Sequence, residues 1–193
     1  MPAGGKWLPK SIRSGTVGAR YRELPWGPPV TIEIRQIREE DIGSFHAAID
    51  VVAREAKYLA LLEAPPLERA TAFVRRNIEK GYPQFVAVTD GEVVGWCNVP
   101  PAAREVMAHV GDLFMGLLPL WRGQGLGERL LRESLVAADA FGYLRVELGV
   151  FASNTAAASL YRKAGFVEEG IKRRAILIKG VFHDEIMMAR LRD

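Results

Sequence analysis

A short glycine-rich segment in the middle of the chain has the composition of a phosphate-binding loop. Its residues are Arg122, Gly123, Gln124, Gly125, Leu126 and Gly127. Glycines let a ligand approach backbone N–H groups closely, and the amphipathic helix predicted after the loop adds the positive end of its dipole. Arg122 would add a full positive charge. The segment therefore predicts a binding site for a phosphate group.

The spacing of the glycines excludes two common phosphate-binding loops. A dinucleotide-binding fingerprint requires Gly-x-Gly-x-x-Gly, but counting from Gly123 the third position holds Glu128, whose charge would repel a pyrophosphate. A P-loop ends in Gly-Lys-Ser or Gly-Lys-Thr, which does not follow here. The remaining pattern is Arg-x-x-Gly-x-Gly, formed by Arg122, Gly125 and Gly127. A strand-to-helix turn without a ligand is the alternative interpretation.

A second segment, residues 154–166, reads Asn-Thr-Ala-Ala-Ala-Ser-Leu-Tyr-Arg-Lys-Ala-Gly-Phe. It begins with Asn154, a good helix N-cap, and reaches Gly165, the residue type favoured just after a helix. Asn154 and Tyr161 share one face of this predicted helix, roughly 10.5 Å apart. Together the two segments resemble the GNAT superfamily of acyl-CoA-dependent N-acetyltransferases, which carry a pyrophosphate loop followed by a second cofactor-contacting helix.

The resemblance implies an α+β fold of the GNAT type. This fold has a mixed, mostly antiparallel central sheet of about seven strands, flanked by about four helices and splayed between the fourth and fifth strands. Hydrophobic periodicity and turn signals predict elements in the matching order. The predicted strands are 31–37, 84–89, 92–99, 106–118, 144–150, 167–178 and 182–191, and the predicted helices are 38–57, 67–80, 128–141 and 154–164.

The composition is that of one ordinary globular domain. The chain has 193 residues, of which 49% are hydrophobic and 25% are charged, too few residues for two well-buried cores. Residues 30–193 are predicted to form the GNAT acetyltransferase domain. Residues 1–29 are rich in Gly, Pro and basic residues. They are predicted to be an irregular arm, packed on the domain or on a partner subunit, with a flexible tail as the alternative.

Composition also excludes several classes of function. The net charge is only +3 and no basic stripe for nucleic acid is present. No apolar run approaches the length of a membrane span. The single cysteine, Cys97, lies in an apolar run and is predicted to be a small buried residue rather than a nucleophile. A cytoplasmic enzyme is expected, with a homodimer left open as its assembly.

The resemblance implies that acetyl-CoA is the acyl donor and that no metal takes part. In the family, the pantetheine arm of the cofactor lies along the open edge of the strand before the loop. The backbone of Leu117 and Leu118 would then contact it, and the N–H of Leu117 would polarise the thioester carbonyl. The other cofactor-binding residues implied are Arg122, Gly123, Gln124, Gly125, Leu126, Gly127, Asn154, Ala157 and Lys163. A solvated helix charge is an equal interpretation of Lys163.

Tyr161 occupies the position of the family's general acid, although a tyrosine at this spacing is also typical of a core. A phenol with a pKa of about 10 is protonated at neutral pH and can protonate a thiolate whose pKa is about 8.5. The catalytic base stays open. Asp112 lies five residues before Leu117, where several family members place a glutamate that acts through water. His109, Glu147 and a mechanism without a dedicated base are the alternatives.

The predicted reaction is direct transfer of an acetyl group from acetyl-CoA to a primary amine within a ternary complex. The acceptor is a small-molecule amine or a protein N-terminus. The tail, residues 165–188, resembles the bacterial branch related to ribosomal-protein alanine and small-amine N-acetyltransferases, a branch too diverse to select one substrate. A non-catalytic module that senses acetyl-CoA is the alternative function.

Overall fold

The computed structural model describes residues 31–192, and the arm predicted at residues 1–29 lies outside this range. The described residues form eight strands and four α-helices. The strands are β1 (Glu33–Gln36), β2 (Gln84–Thr89), β3 (Glu92–Asn98), β4 (Val110–Asp112), β5 (Phe114–Leu117), β6 (Arg145–Phe151), β7 (Val167–Ile178) and β8 (Val181–Leu191). The helices are α1 (Ile42–Arg54), α2 (Leu67–Lys80), α3 (Leu126–Phe141) and α4 (Thr155–Lys163).

The strands form two four-stranded sheets. The first has the order β1-β2-β3-β5 and is antiparallel throughout. The second has the order β4-β6-β8-β7, in which β4 and β6 are parallel and the other pairs are antiparallel. The predicted α+β fold, with mostly antiparallel strands and four helices, is confirmed.

The single long strand predicted at 106–118 is divided in the structure. Glu105–Met107 forms a 3-10 turn, after which β4 pairs with β6 and β5 pairs with β3. The change of partner occurs at Leu113, whose N–H donates to the carbonyl of Glu147 at 2.8 Å. An unbroken apolar pattern identifies extended chain but does not reveal that its two halves pair with different strands. The splay predicted between this strand and the next one, 144–150, begins at the same point.

Helices cover the sheets unequally. α1 and α2 lie on one face of the first sheet, where the core includes Phe45 and Trp96. α3 and α4 lie on the opposite face, where the core continues across both sheets and includes Leu130, Leu148 and Tyr161. The other face of the second sheet is only partly buried. None of the helices between residues 31 and 192 is long and apolar enough to cross a bilayer.

Candidate active site

A wedge-shaped opening separates the two sheets beside their junction. β4 and β6 pair in parallel as far as Asp112 and Glu147, whose Cα atoms are partners. The chain then leaves β6 and continues as β5, which pairs with β3. Within the described residues, positions 148–151 of β6 therefore have a strand partner on only one side, where β8 lies. We call the space between β5 and residues 148–151 the wedge.

Backbone N–H groups of β5 point into the wedge. The N–H of Leu118 donates to the carbonyl of Val94, on the β3 side, at 2.9 Å. Successive residues of an antiparallel strand direct their N–H groups to alternate sides, so those of Met115 and Leu117 point away from β3. Leu117 thus has the orientation that its predicted role requires. Met115 was missed by sequence reasoning, because only the register of β5 on β3 reveals which N–H groups are unpaired.

The glycine-rich loop presents free donors at the start of α3. Gly123 and Gly125 have left-handed φ angles of 72° and 77°, and a Cβ on either residue would project into open space. Within residues 31–192, the N–H groups from Gly123 to Glu128 donate to no carbonyl or side chain. Consecutive free N–H groups at the N-terminus of a 16-residue helix favour the binding of an anion.

The side chain of Arg122 points away from these donors. Its Nε donates to the carbonyl of Leu117 at 2.9 Å, and its terminal nitrogens bind both carboxylate oxygens of Glu55 at 2.8 and 2.5 Å. The guanidinium also lies 4.6 Å from the ring centroid of Tyr58. The charge that we expected Arg122 to add to the phosphate site is therefore paired with Glu55. The pair links the end of α1 to the loop. The candidate anion site therefore consists of backbone N–H groups.

Two other predicted contact residues have local structural roles. Asn154 caps α4, because its Oδ1 accepts a hydrogen bond from the N–H of Ala157 at 3.2 Å. Its side-chain NH2 makes no hydrogen bond within the described residues. Gln124 donates from Nε2 to the carbonyl of Leu120 at 2.6 Å, which stabilises the loop. Lys163 is exposed and makes no ion pair in the described part of the chain, at one side of a groove between α3 and α4.

The loop, β5 and α4 meet at Gly127. A Cβ on Gly127 would lie 3.3 Å from the side chain of Leu117, 3.5 Å from that of Leu160 and 3.7 Å from that of Met115. The first turn of α3 therefore packs directly against the edge strand of the wedge and against the residue that precedes Tyr161. Gly127 and Leu160, 33 residues apart in the sequence, thus bring the two motifs into contact.

Tyr161 is 7% exposed and packs its ring 5.8 Å from that of Phe166. Burial raises the pKa of its phenol well above the ordinary value, and the neighbouring Cys97 thiol raises it further. The phenol therefore stays protonated at neutral pH, as a general acid must. Cys97 is buried as predicted, and burial raises the pKa of its thiol to about 12. A protonated thiol of this kind is a poor nucleophile.

Asp112 and Glu147 lie together at the closed end of the wedge. Burial raises the pKa of Asp112, and the charge of Glu147 raises it further. Glu147 forms an ion pair with Arg145, whose Nε lies 2.6 Å from the Glu147 carboxylate. The same guanidinium also binds Glu169. His109 precedes β4 and is exposed. The rise moves the pKa of Asp112 toward neutrality, the direction that base catalysis requires.

Comparison with known proteins identifies the family. A sequence model described as the acetyltransferase (GNAT) family matches residues 45–166, well over half of the 193 residues. The chain belongs to the GNAT family. The L-amino acid N-acetyltransferase AaaT of Escherichia coli (strain K12) is 29% identical over 157 residues, which cover 81% of this GNAT chain and 97% of AaaT.

Solved structures of acetyltransferases share the fold of this chain. A ribosomal-protein-alanine N-acetyltransferase from Brucella melitensis is 25% identical, with a TM-score of 0.77 over 83% of this chain and 99% of that one. The acetyltransferase yncA from Salmonella typhimurium, solved with acetyl-CoA, has a TM-score of 0.79 at 18% identity, over 84% of this chain and 94% of yncA. The predicted recognition is confirmed, and this GNAT protein is an acetyl-CoA-dependent N-acetyltransferase.

Proposed function

We propose that this enzyme acetylates a primary amine by direct transfer from acetyl-CoA within a ternary complex. The wedge is the observation that supports this proposal most directly. Its wall at β5 offers unpaired N–H groups, which bind an extended acyl-CoA arm as a strand would bind a neighbouring strand. The free N–H groups at the start of α3 lie next to the same strand, so one ligand reaches both.

Acetyl-CoA would be held mainly by backbone groups. Its pyrophosphate would accept hydrogen bonds from the N–H groups between Gly123 and Glu128. Its pantetheine arm would pass Leu117 and Leu118, and the small side chain of Ala157 leaves room for it on α4. The side-chain NH2 of Asn154 would bind a pantetheine carbonyl, and Lys163 would meet a remaining phosphate at the groove between the two helices.

The proposed chemistry needs no covalent enzyme intermediate. The acceptor nitrogen attacks the thioester carbonyl carbon, so that a C–N bond forms and the C–S bond breaks. The N–H of Leu117 stabilises the oxyanion that develops on the carbonyl oxygen. Tyr161 gives its proton to the departing CoA thiolate, and Asp112 takes the proton of the amine through water. Solvent exchange then restores both groups.

The acceptor we propose is a small primary amine such as an L-amino acid. The alignment with AaaT supports this choice, because it extends over 97% of that protein, including the segments outside the cofactor motifs. A protein N-terminus is the second candidate. It is supported by the 25% identity and 0.77 TM-score of the Brucella ribosomal-protein-alanine enzyme.

The proposal is tested by thiol release from acetyl-CoA against a panel of L-amino acids, polyamines, aminoglycosides and peptide N-termini. Mass spectrometry of each product identifies the acetylated nitrogen. We expect turnover with one amine class, and CoA binding in the absence of any amine. CoA binding with no turnover on any amine would support the sensor function instead. Failure to bind CoA would contradict the site itself.

Asp112→Asn is expected to raise the melting temperature at pH 7 while lowering kcat/KM. Because the pKa of Asp112 is higher in the folded chain than in the unfolded one, the folded state binds the proton more tightly. The free energy of unfolding therefore falls as the pH rises from the pKa of the unfolded state to that of the folded state. The asparagine, which cannot ionise, removes this loss of stability. The difference in melting temperature should disappear near pH 3, about where both states are protonated.

Asp139→Asn provides a control of opposite sign. Hydrogen bonds from Arg190 lower the pKa of Asp139, so its carboxylate stabilises the folded state at neutral pH. This variant should melt at a lower temperature at pH 7.

Unchanged kcat/KM across the pH range in Asp112→Asn would exclude Asp112 as the base.

A further inference from the structure

Glu185 of β8 extends across the backbone of Gly149 in the open half of β6. A Cβ on Gly149 would lie 2.6 Å from Cδ of Glu185, 3.1 Å from its Cγ and closer still to its Oε1. Any side chain at position 149 would therefore displace the carboxylate. Gly149 is exposed, so the carboxylate lies at the surface beside the open half of β6 rather than in the core.

The strand register defines the direction in which this carboxylate points. Across β6 and β8, Glu185 is the Cα partner of Phe151, and Met187 is the partner of Gly149. The Glu185 side chain therefore runs diagonally, from the level of Phe151 toward the closed end of the wedge. Side chains at alternate positions share a face, so Glu185 lies on the same face as Glu147 and its partner Asp112.

This face is opposite to the one that carries the cofactor motifs. Leu148, Val150 and Ile186 point into the core beneath α3 and α4. Glu185 and Gly149, at the intervening positions, point to the side of the second sheet that α3 and α4 do not cover. An acyl-CoA that approaches from α3 and α4 leaves this side of the wedge free for the acceptor.

The two carboxylate oxygens of Glu185 have different surroundings. Oε2 lies 3.3 Å from Nζ of Lys172, a side chain that is 58% exposed, whereas the side chain of Glu185 is 22% exposed. Oε1 lies over Gly149 and makes no hydrogen bond within the described residues. An ion pair with an exposed lysine adds little to stability and does not require a glycine on the neighbouring strand. The Lys172 pair alone does not account for this arrangement.

We infer that Glu185 is a specificity-determining residue of the acceptor site, where its Oε1 binds the ammonium group of a primary amine at the mouth of the wedge. This inference rests on the proposed function. Gly149 provides the space that the bound carboxylate needs. The ammonium group releases one proton to water before the nitrogen attacks the thioester, so Glu185 selects and positions the acceptor. Asp112 remains the group that we propose for the later proton transfer.

The test measures binding of each L-amino acid of the panel above to the CoA-bound protein by calorimetry, together with steady-state kinetics. Glu185→Gln keeps the shape of the side chain and removes its charge. We expect the Kd and the KM for the amine to rise about 10-fold or more, with the Kd for CoA unchanged. Gly149→Ala displaces the carboxylate and should have the same effect. Glu168→Gln, which alters an exposed carboxylate of the same hairpin, is the control and should change neither constant.

The outcomes separate this inference from the proposed function. An unchanged amine Kd in Glu185→Gln, with normal turnover in the wild type, overturns the role of Glu185 and leaves the proposed function intact. Amine binding that depends on Glu185 without any acetyl transfer supports the role of Glu185 and contradicts the proposed function. Absence of amine binding to the wild-type complex overturns the inference. Circular dichroism and melting curves establish that each variant is folded.

Discussion

Tyr161→Phe is expected to lower kcat by roughly 100-fold or more, the range typical for loss of a general acid. The affinity for acetyl-CoA should not change, because the phenylalanine keeps the ring that packs against Phe166. The rate falls because the CoA thiolate then leaves without a proton donor. Single-turnover rates with saturating acetyl-CoA, combined with CoA binding by calorimetry, measure the two quantities separately.

Tyr143→Phe is the matched control for this prediction. Tyr143 is also buried, and burial raises the pKa of its phenol in the same direction. Its hydroxyl has no hydrogen-bond partner among the described residues. Removing an unpaired buried hydroxyl is neutral or stabilising, so this variant should keep its kcat. Equal losses of kcat in the two variants would mean that Tyr161 acts through packing and not as an acid.

Gly125→Ala is expected to raise the Kd for CoA by roughly 10- to 100-fold. Gly125 has a φ of 77°, a conformation that costs a residue with a Cβ roughly 1–2 kcal/mol. The loop relieves this strain by moving, and the movement misaligns the free N–H groups that we propose for the pyrophosphate. Loss of several charge-assisted hydrogen bonds accounts for the size of the effect. Calorimetric titration with CoA measures it.

Gly91→Ala separates backbone strain from loss of the site. Gly91 lies in the turn between β2 and β3 with a φ of 78°, and a Cβ there also meets open space. Both alanine variants should lose similar free energy of unfolding in urea. Only Gly125→Ala should lose affinity for CoA. If both bind CoA as the wild type does, the loop is not the pyrophosphate site.

Local patterns in the sequence were sufficient for most elements. The bounds predicted for α2, 67–80, match the structure, and the helix ends at Gly81 in the left-handed conformation that a C-terminal cap adopts. The hairpin of β7 and β8 turns at Lys179 and Gly180, as predicted. Caps, turns and hydrophobic periods are properties of a few neighbouring residues, so they can be recognised without knowledge of the fold. The glycine-rich loop is a signal of the same kind.

Pairings between distant segments required the tertiary structure. The division of 106–118 into β4 and β5 depends on which strand each half contacts, and an apolar pattern carries no such information. Arg122 was predicted at the phosphates, but its charge is paired with Glu55, which lies 67 residues earlier. The carboxylate of Glu185 lies over Gly149 only because β6 and β8 pair in one register.

The sequence by itself therefore determined the family, the acyl donor and the segments that carry the cofactor motifs, because each of these depends on contiguous residues. Only the tertiary structure decided which N–H groups of β5 are free, that the charge of Arg122 is paired with Glu55, and which oxygen of Glu185 is unpaired. Those features arise where separate segments meet. Their geometry follows from strand register and packing, which a linear pattern of residue types does not specify.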